Sequence, residues 1–336
     1  MRWPNRAECA GIGELLLATL ILPGDLAAQK IATPLLGRLF DSRSGDIRLV
    51  SGIPGSASLG PRIELDDKLS AAAICSDGGY AIGVTRSEGK VEFISFRGGT
   101  TATVAPFAVP NAPDALVTSP SCTSAALLYR QTSRAQLVSG LPGDPSIVEL
   151  DLSVLRSQPT LAAVDDAGTA LLVVTSGAGN NTVERLSAHS GPQLVISAGA
   201  VSAISFLVHS SDALVADPVA NQLFRVGDAA SGQPVADVMA SKQDGIRDAT
   251  SIAVAAGNRQ ALVANPGTHS VAVIDLLRQA GREVQCACDV VRVTSFKGGS
   301  LFRLSDEPSH PITLLDVNDD GGRMTVIPAE KPATEK

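Results

Sequence analysis

The chain has 336 residues, of which 44% are apolar and 18% are charged, and its formal net charge is −7. This length and composition are typical of a globular protein with one large domain or two modest ones. The negative charge provides no basic surface to neutralise phosphates, which argues against binding to nucleic acid or to an anionic membrane.

The first 28 residues have the pattern of a signal peptide. Arg2 and Arg6 precede a mostly apolar run at 10–22, which is too short to span a bilayer. Small residues up to Ala28 suit a signal peptidase, so we expect cleavage there and a mature protein that is periplasmic or secreted, without a membrane span. Because Glu14 interrupts the apolar run, a membrane-anchored or buried helix is the alternative.

The remainder of the chain repeats short β-type runs six to seven times. The clearest copy has runs at 251–256, 261–265 and 271–276, each too short for a helix and rich in residues that favour strands. The second run of each unit begins at intervals of 39 to 48 residues, at Arg38, Ile82, Leu127, Leu171, Leu214, Leu262 and Leu301. This interval, with four strands per unit, is typical of the blade of a β-propeller.

We therefore predict an all-β protein, a seven-bladed β-propeller with four-stranded antiparallel blades. The propeller forms a single domain over 29–328, and 329–336 is a polar tail. The first unit lacks an obvious inner strand before Arg38, and 323–327 has the pattern of an additional strand. These two features suggest that the ring closes by pairing strands from the two termini in one blade.

Three segments resemble the repeats of known bacterial propellers. The segments 262–265 and 270–275 are similar to the repeat of the YVTN family, with Leu262 and Ala264 in place of its tyrosine and threonine. The turn in 75–82 resembles that family's Ser-Pro-Asp-Gly turn without the proline, and 214–226 also resembles the NHL repeat. The resemblance implies an extracytoplasmic propeller but no particular activity, because these repeats occur in binding proteins, surface proteins and some enzymes.

One mouth of a propeller channel gathers loops from every blade and is the usual place for a site. The candidate residues of this ligand-binding face are the polar ends of the second runs and two loop histidines: Asp41, Thr85, Arg130, Thr175, Asp217, Asn265, His269 and His310. In lactonase-like propellers, acidic and amide groups hold a cation that activates water, a role open to Asp41, Asp217 and Asn265. Strand ends are also polar for structural reasons alone.

The four histidines left after cleavage are not expected to form one metal site. His189 and His209 fall on loops of the face opposite to His269 and His310, and a histidine site needs three or four convergent ligands.

A half-motif for calcium lies near the end of the chain. Asp316, Asn318 and Asp320 match the first oxygen ligands of a calcium loop, but Ile327 stands where the bidentate glutamate is expected. A weak calcium site and an acidic turn between the outer strands of the last blade are the two interpretations. No other cofactor is expected.

Four cysteines, Cys75, Cys122, Cys286 and Cys288, remain after cleavage, an even number that suits disulfides in an oxidising compartment. Cys75 and Cys122 fall at similar positions on adjacent blades and could bridge. Cys286 and Cys288 would point to the same side of a strand, which suits a local disulfide or pairing with other partners. Free buried thiols are the alternative.

The sequence contains no nucleophile elbow, phosphate loop or zinc-protease motif. We therefore expect an exported, non-catalytic binding or scaffold protein, a monomer whose ligand is an unidentified protein or small molecule. A metal-dependent hydrolase of the lactonase type, with its site at the channel mouth, is the first alternative. A structural cell-surface repeat protein is the second.

Overall fold

The computed structural model describes residues 34–177, 179–305, 311–318 and 322–329. The predicted signal peptide, nearly all of the predicted tail, His310 and Asp320 lie outside these residues. None of the helices in the described ranges is long and apolar enough to cross a membrane.

The described residues form seven antiparallel sheets in which each strand pairs with its neighbours in sequence. Blade 1 contains β1 (Leu35–Asp41), β2 (Asp46–Ile53) and β3 (Ser56–Arg62). Blade 2 contains β4 (Leu69–Ile74), β5 (Tyr80–Thr85), β6 (Val91–Gly98) and β7 (Thr101–Pro106). Blade 3 contains β8 (Ala115–Thr118), β9 (Ser124–Tyr129), β10 (Arg134–Ser139) and β11 (Ser146–Asp151). Blade 4 contains β12 (Leu161–Val164), β13 (Leu171–Ser176), β14 (Asn181–Ser187) and β15 (Ser190–Ala198).

Blade 5 contains β16 (Ala203–Phe206), β17 (Ala213–Asp217), β18 (Gln222–Gly227) and β19 (Val235–Ala240). Blade 6 contains β20 (Ser251–Val254), β21 (Gln260–Asn265), β22 (Ser270–Asp275) and β23 (Ala280–Gln285). Blade 7 contains β24 (Thr294–Lys297), β25 (Leu301–Arg303), β26 (Ile312–Asp316) and β27 (Arg323–Ile327). Short 3₁₀ turns occur at Lys242–Asp244, Ala256–Asn258 and Pro266–Thr268. The prediction of a seven-bladed β-propeller is confirmed.

The core lies between blades. Each of seven clusters of buried apolar side chains joins two adjacent blades, and together the clusters run around the ring. Strand β9 illustrates the cause: Leu127 packs toward blade 2 and Leu128 toward blade 4, because successive side chains of a strand point to opposite faces. Because both faces of such a strand are buried, most of its positions are apolar. This burial explains the continuous apolar runs in the sequence.

The two sides of the ring carry different connections. The turn face carries the turns between first and second strands, such as 75–79, and those between third and fourth strands. The loop face carries the loops between second and third strands, such as 86–90, and the connections between blades. This division follows from the antiparallel order of the strands within every blade.

Blade 1 has three strands among the described residues, and the strand that it lacks is the inner one. Leu35, at the start of β1, accepts a hydrogen bond of 2.6 Å from Nζ of Lys297 on the turn face. The turn after β1 lies on the loop face, where the Leu69 amide donates to the Gly45 carbonyl at 2.9 Å. Strand β1 therefore runs in the direction of a second strand, as its alignment with the other second runs predicts.

The closure of the ring differs from the sequence-based expectation. Strand β27 does not enter blade 1; it pairs with β26, with Arg323 opposite Asp316, and completes blade 7. The physical reason is that β27 follows β26 through a short connection, which favours pairing with its neighbour in sequence. Blades 7 and 1 meet through their apolar cluster and through the bond from Lys297 to Leu35.

Candidate functional site

The central channel is a cavity of about 490 Å³ among the described residues. The inner strands of blades 2 to 7 line it, and β1 lines it on the side of blade 1. Its wall combines apolar side chains with serine and threonine hydroxyls and three arginines, Arg38, Arg292 and Arg303. Acidic side chains are not among the described residues that line the channel.

The two predicted acidic residues of the ligand face lie on the loop face, where they close turns. Asp41 Oδ1 accepts a hydrogen bond of 3.0 Å from the Arg43 amide. Asp217 Oδ1 accepts from the Val219 amide at 2.9 Å, and its Oδ2 accepts from the Gly199 amide at 3.0 Å. Both carboxylates satisfy backbone amides of tight turns, a common role for aspartate at this position.

Asn265 has a similar role at the end of β21. It is fully buried; its Oδ1 accepts from the Arg247 amide at 3.0 Å, and its Nδ2 donates to the Gly245 carbonyl at 2.8 Å. The side-chain amide therefore holds the connection that enters blade 6. Neither Asn265 nor the two aspartates lines the channel.

The other strand-end residues also face local partners. Thr85 Oγ1 accepts from the Lys90 amide at 2.9 Å, and Thr175 Oγ1 lies 2.7 Å from the Thr182 hydroxyl. Arg130 lines a small cavity at the start of the connection between blades 3 and 4. The predicted ligand-face residues are therefore distributed over separate loops, and the structure does not bring them into one cluster.

The three histidines that the structure describes lie on two faces, and His310 is outside the described residues. His269 is exposed on the loop face, with Nδ1 3.4 Å from Asp289 Oδ1. His209 lies in the first turn of blade 5, and His189 lies in the turn between the third and fourth strands of blade 4, both on the turn face. Within the described ranges, no group of three or more His, Cys, Asp or Glu side chains could hold a metal ion.

Asp316 and Asn318 lie at the end of β26 and in the connection to β27, which is the position predicted for the acidic turn. The third residue of the predicted calcium set, Asp320, lies outside the described residues.

The four cysteines form two disulfide bonds. Cys75 is bonded to Cys122, with their Cα atoms 5.8 Å apart, and joins the first turns of blades 2 and 3. Cys286 is bonded to Cys288, with Cα atoms 5.1 Å apart, in the connection between blades 6 and 7.

A belt of hydrogen bonds links the first turns of blades 3, 4 and 5, and sequence reasoning missed its main residue, Asp166. This side chain is 7% exposed; Oδ1 accepts from the Ser121 amide at 2.9 Å, and Oδ2 accepts from the His209 amide at 2.6 Å. Burial raises the pKa of Asp166, but the hydrogen bonds from His209 and Ser121 outweigh burial and hold the pKa below its ordinary value.

The belt continues through blades 5, 6 and 7 and returns to blade 2. Asn258 Oδ1 accepts from the Val208 amide at 2.7 Å, and Nδ2 donates to the Val208 carbonyl at 2.7 Å. The Gly298 amide of blade 7 donates to the Ser76 carbonyl of blade 2 at 3.4 Å, past blade 1. Together with the Cys75 disulfide, these contacts fix six first turns around one end of the channel.

Arg38 is the second residue that sequence reasoning did not single out. It is 8% exposed and lines the channel. One guanidinium nitrogen donates to the Gly78 carbonyl, the guanidinium carbon lies 4.2 Å from the ring centroid of Phe96, and Nε has no hydrogen-bond partner among the described atoms. The alignment of the repeats could have identified Arg38, because the other six aligned positions are isoleucine or leucine.

No family model matches the sequence, and no curated protein matches it. Solved structures do. A functionally unknown protein from Desulfotomaculum acetoxidans is 14% identical, with a TM-score of 0.56 over 88% of this chain and 99% of that chain. A proposed 6-phosphogluconolactonase from Bacteroides fragilis is 11% identical, with a TM-score of 0.55 over 87% and 92%. Virginiamycin B lyase from Staphylococcus aureus is 15% identical, with a TM-score of 0.50 over 88% and 96%. At these identities the likeness shows the propeller fold alone.

Proposed function

We propose that this protein is an exported, non-catalytic β-propeller of the YVTN or NHL type that binds a ligand in its central channel. The observation that carries the proposal is the contrast between the channel and the strand ends. The channel is a roomy cavity of the size that small-molecule sites have, about 300–1,000 Å³. The acidic and amide groups that a hydrolase would use, Asp41, Asp217 and Asn265, are occupied by backbone partners outside it.

Export is supported by the cysteines and by the amino-terminal sequence. Two disulfides join all four cysteines that remain after the predicted cleavage, and disulfides persist in oxidising compartments. Residues 1–28 have the basic and apolar pattern of the signal peptide that directs a protein to export. Expression in a bacterial host, followed by fractionation and mass spectrometry, should recover the chain outside the cytoplasm with Gln29 at its amino terminus. Recovery from the cytoplasm with residues 1–28 retained would contradict export.

The hydrolase alternative makes a different prediction for Asp217. A catalytic carboxylate would be essential for turnover, whereas a turn carboxylate contributes about 1–2 kcal/mol of stability. We expect the purified chain to hydrolyse lactones no faster than buffer does, with or without added Ca²⁺, and Asp217→Ala to lower only the free energy of unfolding. Lactone turnover that EDTA abolishes and that Asp217→Ala removes, in a variant that remains folded, would overturn the proposal.

A further inference from the structure

We propose that Arg38 is the anion-binding residue of the channel and that it holds an oxyanion group, a carboxylate or a phosphate, of a small molecule. This inference rests on the proposed function, because it names the chemical class of the ligand that the channel binds.

Arg38 occupies a repeat position that is apolar in the other blades. Arg38 lies three residues before the end of its strand, as Leu214 and Leu262 do in blades 5 and 6. Those leucines are fully buried in the cores between blades. An arginine at a position that other blades fill with leucine adds a charge where packing requires none. Long charged side chains are rarely this buried unless a partner compensates them.

Arg38 borders the channel because, among the described residues, blade 1 differs from the other blades. In blades 2 to 7 an inner strand lines the channel, and among the described residues of their second strands Arg303, at the end of β25, also lines it. In blade 1 the described residues contain no inner strand, so β1 itself forms the wall and Arg38 reaches the cavity. Arg38, in place of the leucine or isoleucine of the other blades, therefore lies where β1 borders a ligand-sized space, as Arg303 does at the end of β25.

The charge of Arg38 is not balanced by a carboxylate among the residues that the structure describes. Arg38 is 8% exposed, forms no ion pair with a described carboxylate, and keeps an unpartnered Nε. A buried cation of this kind loses the stabilisation of water without a full replacement. Burial lowers the pKa of Arg38, the direction expected when a cation is desolvated. An oxyanion in the channel would supply the absent charge.

The chemistry of the channel wall suits an oxyanion. The described lining residues contribute serine and threonine hydroxyls and no carboxylate that would repel an anion. The planar guanidinium of arginine matches the paired oxygens of a carboxylate or phosphate. The net charge of the chain is −7, so the arginines of the channel wall are not part of a generally basic surface.

Isothermal titration calorimetry of the full chain tests the inference, with inorganic phosphate and citrate as the two probes. Both are titrated against protein in chloride buffer of matched ionic strength, so that general screening is constant. We expect saturable binding of at least one probe with one site per chain. The probe that binds more tightly identifies whether the natural ligand carries a phosphate or a carboxylate.

Three variants locate the site. Arg38→Leu, which introduces the residue found at the aligned position of five other blades, should weaken binding by about ten- to a hundred-fold, the value of a charge-assisted hydrogen bond. Arg38→Lys keeps the charge without the planar fork and should give an intermediate loss. Arg156→Leu removes an equal charge from an exposed connection outside the channel and should leave binding unchanged. Circular dichroism verifies that each variant is folded.

The inference is overturned if neither probe binds the wild-type chain saturably, or if Arg38→Lys and Arg38→Leu bind as tightly as wild type. If Arg38→Leu fails to fold, Arg38→Lys and the wild-type titration still decide the result. The outcome is separable from the proposed function. Lactone turnover with intact anion binding would remove only the non-catalytic assignment, and absent anion binding without turnover would remove only the ligand class.

Discussion

Substitution of Asp166 by alanine should weaken the ring at the turn face, because one carboxylate joins the first turns of three blades. The change removes hydrogen bonds of 2.9 Å to the Ser121 amide and 2.6 Å to the His209 amide. Each bond to a charged group is worth about 1.5–3 kcal/mol when buried. The His209 side is exposed, so water replaces much of that bond, and the expected loss is about 2–4 kcal/mol in total.

Urea unfolding followed by circular dichroism measures this loss. Tryptophan fluorescence is unsuitable, since the single tryptophan, Trp3, precedes the predicted cleavage site. Asp237→Ala is the matched control, because Asp237 is exposed on the outer strand β19. A loss below about 1 kcal/mol for Asp166→Ala, or one equal to the control, would refute the reasoning that Asp166 holds the belt together.

Three further predictions concern the same belt. Replacing Cys75 and Cys122 by serine should lower the free energy of unfolding by about 4 kcal/mol, because the disulfide closes a loop with a sequence separation of 47. Calorimetry of the wild type and the double variant measures this loss. An unchanged stability would contradict the prediction. Gly298 and Gly299 both have positive φ, but a Cβ at 299 would lie 2.3 Å from a side-chain carbon of blade 6, whereas one at 298 meets nothing within 4 Å. Gly299→Ala should therefore cost about 1–3 kcal/mol more than Gly298→Ala in urea unfolding, and equal costs would show that the turns do not pack as described. The pKa of Asp166 is lowered from 3.8 in the folded chain, so its contribution is present above about pH 4 and is lost as the pH falls through the folded pKa. The difference in unfolding free energy between wild type and Asp166→Asn should accordingly shrink as the pH falls below about 4, and a constant difference down to acid unfolding would count against this assignment.

The repeat made the fold predictable because each blade repeats one local pattern. The second strands, such as β9 and β21, are apolar at nearly every position since both of their faces pack against neighbouring blades. Their regular spacing fixes the number of blades before any contact is known. The three-stranded blade 1 of the described residues also agrees with the sequence, in which no obvious β-type run precedes Arg38 at the required distance.

The site was less predictable, because several of its residues have partners in other blades, which are known only once the ring is closed. Asp41 and Asp217 are plausible ligands in the sequence, but the amides that occupy them belong to turns whose geometry the sequence does not specify. Asp166 and Asn258 appear as ordinary turn residues, and only the ring places their side chains against the next blade. Arg38 aligns with apolar residues in the sequence, and it borders the channel because the described part of blade 1 has no inner strand in front of β1.

A crystal structure of the full chain grown with phosphate or citrate is the most direct measurement of the central claim. We predict seven blades around an open channel, with the oxyanion within hydrogen-bond distance of the Arg38 guanidinium. A polypeptide strand or a carboxylate of the protein occupying that position would contradict it.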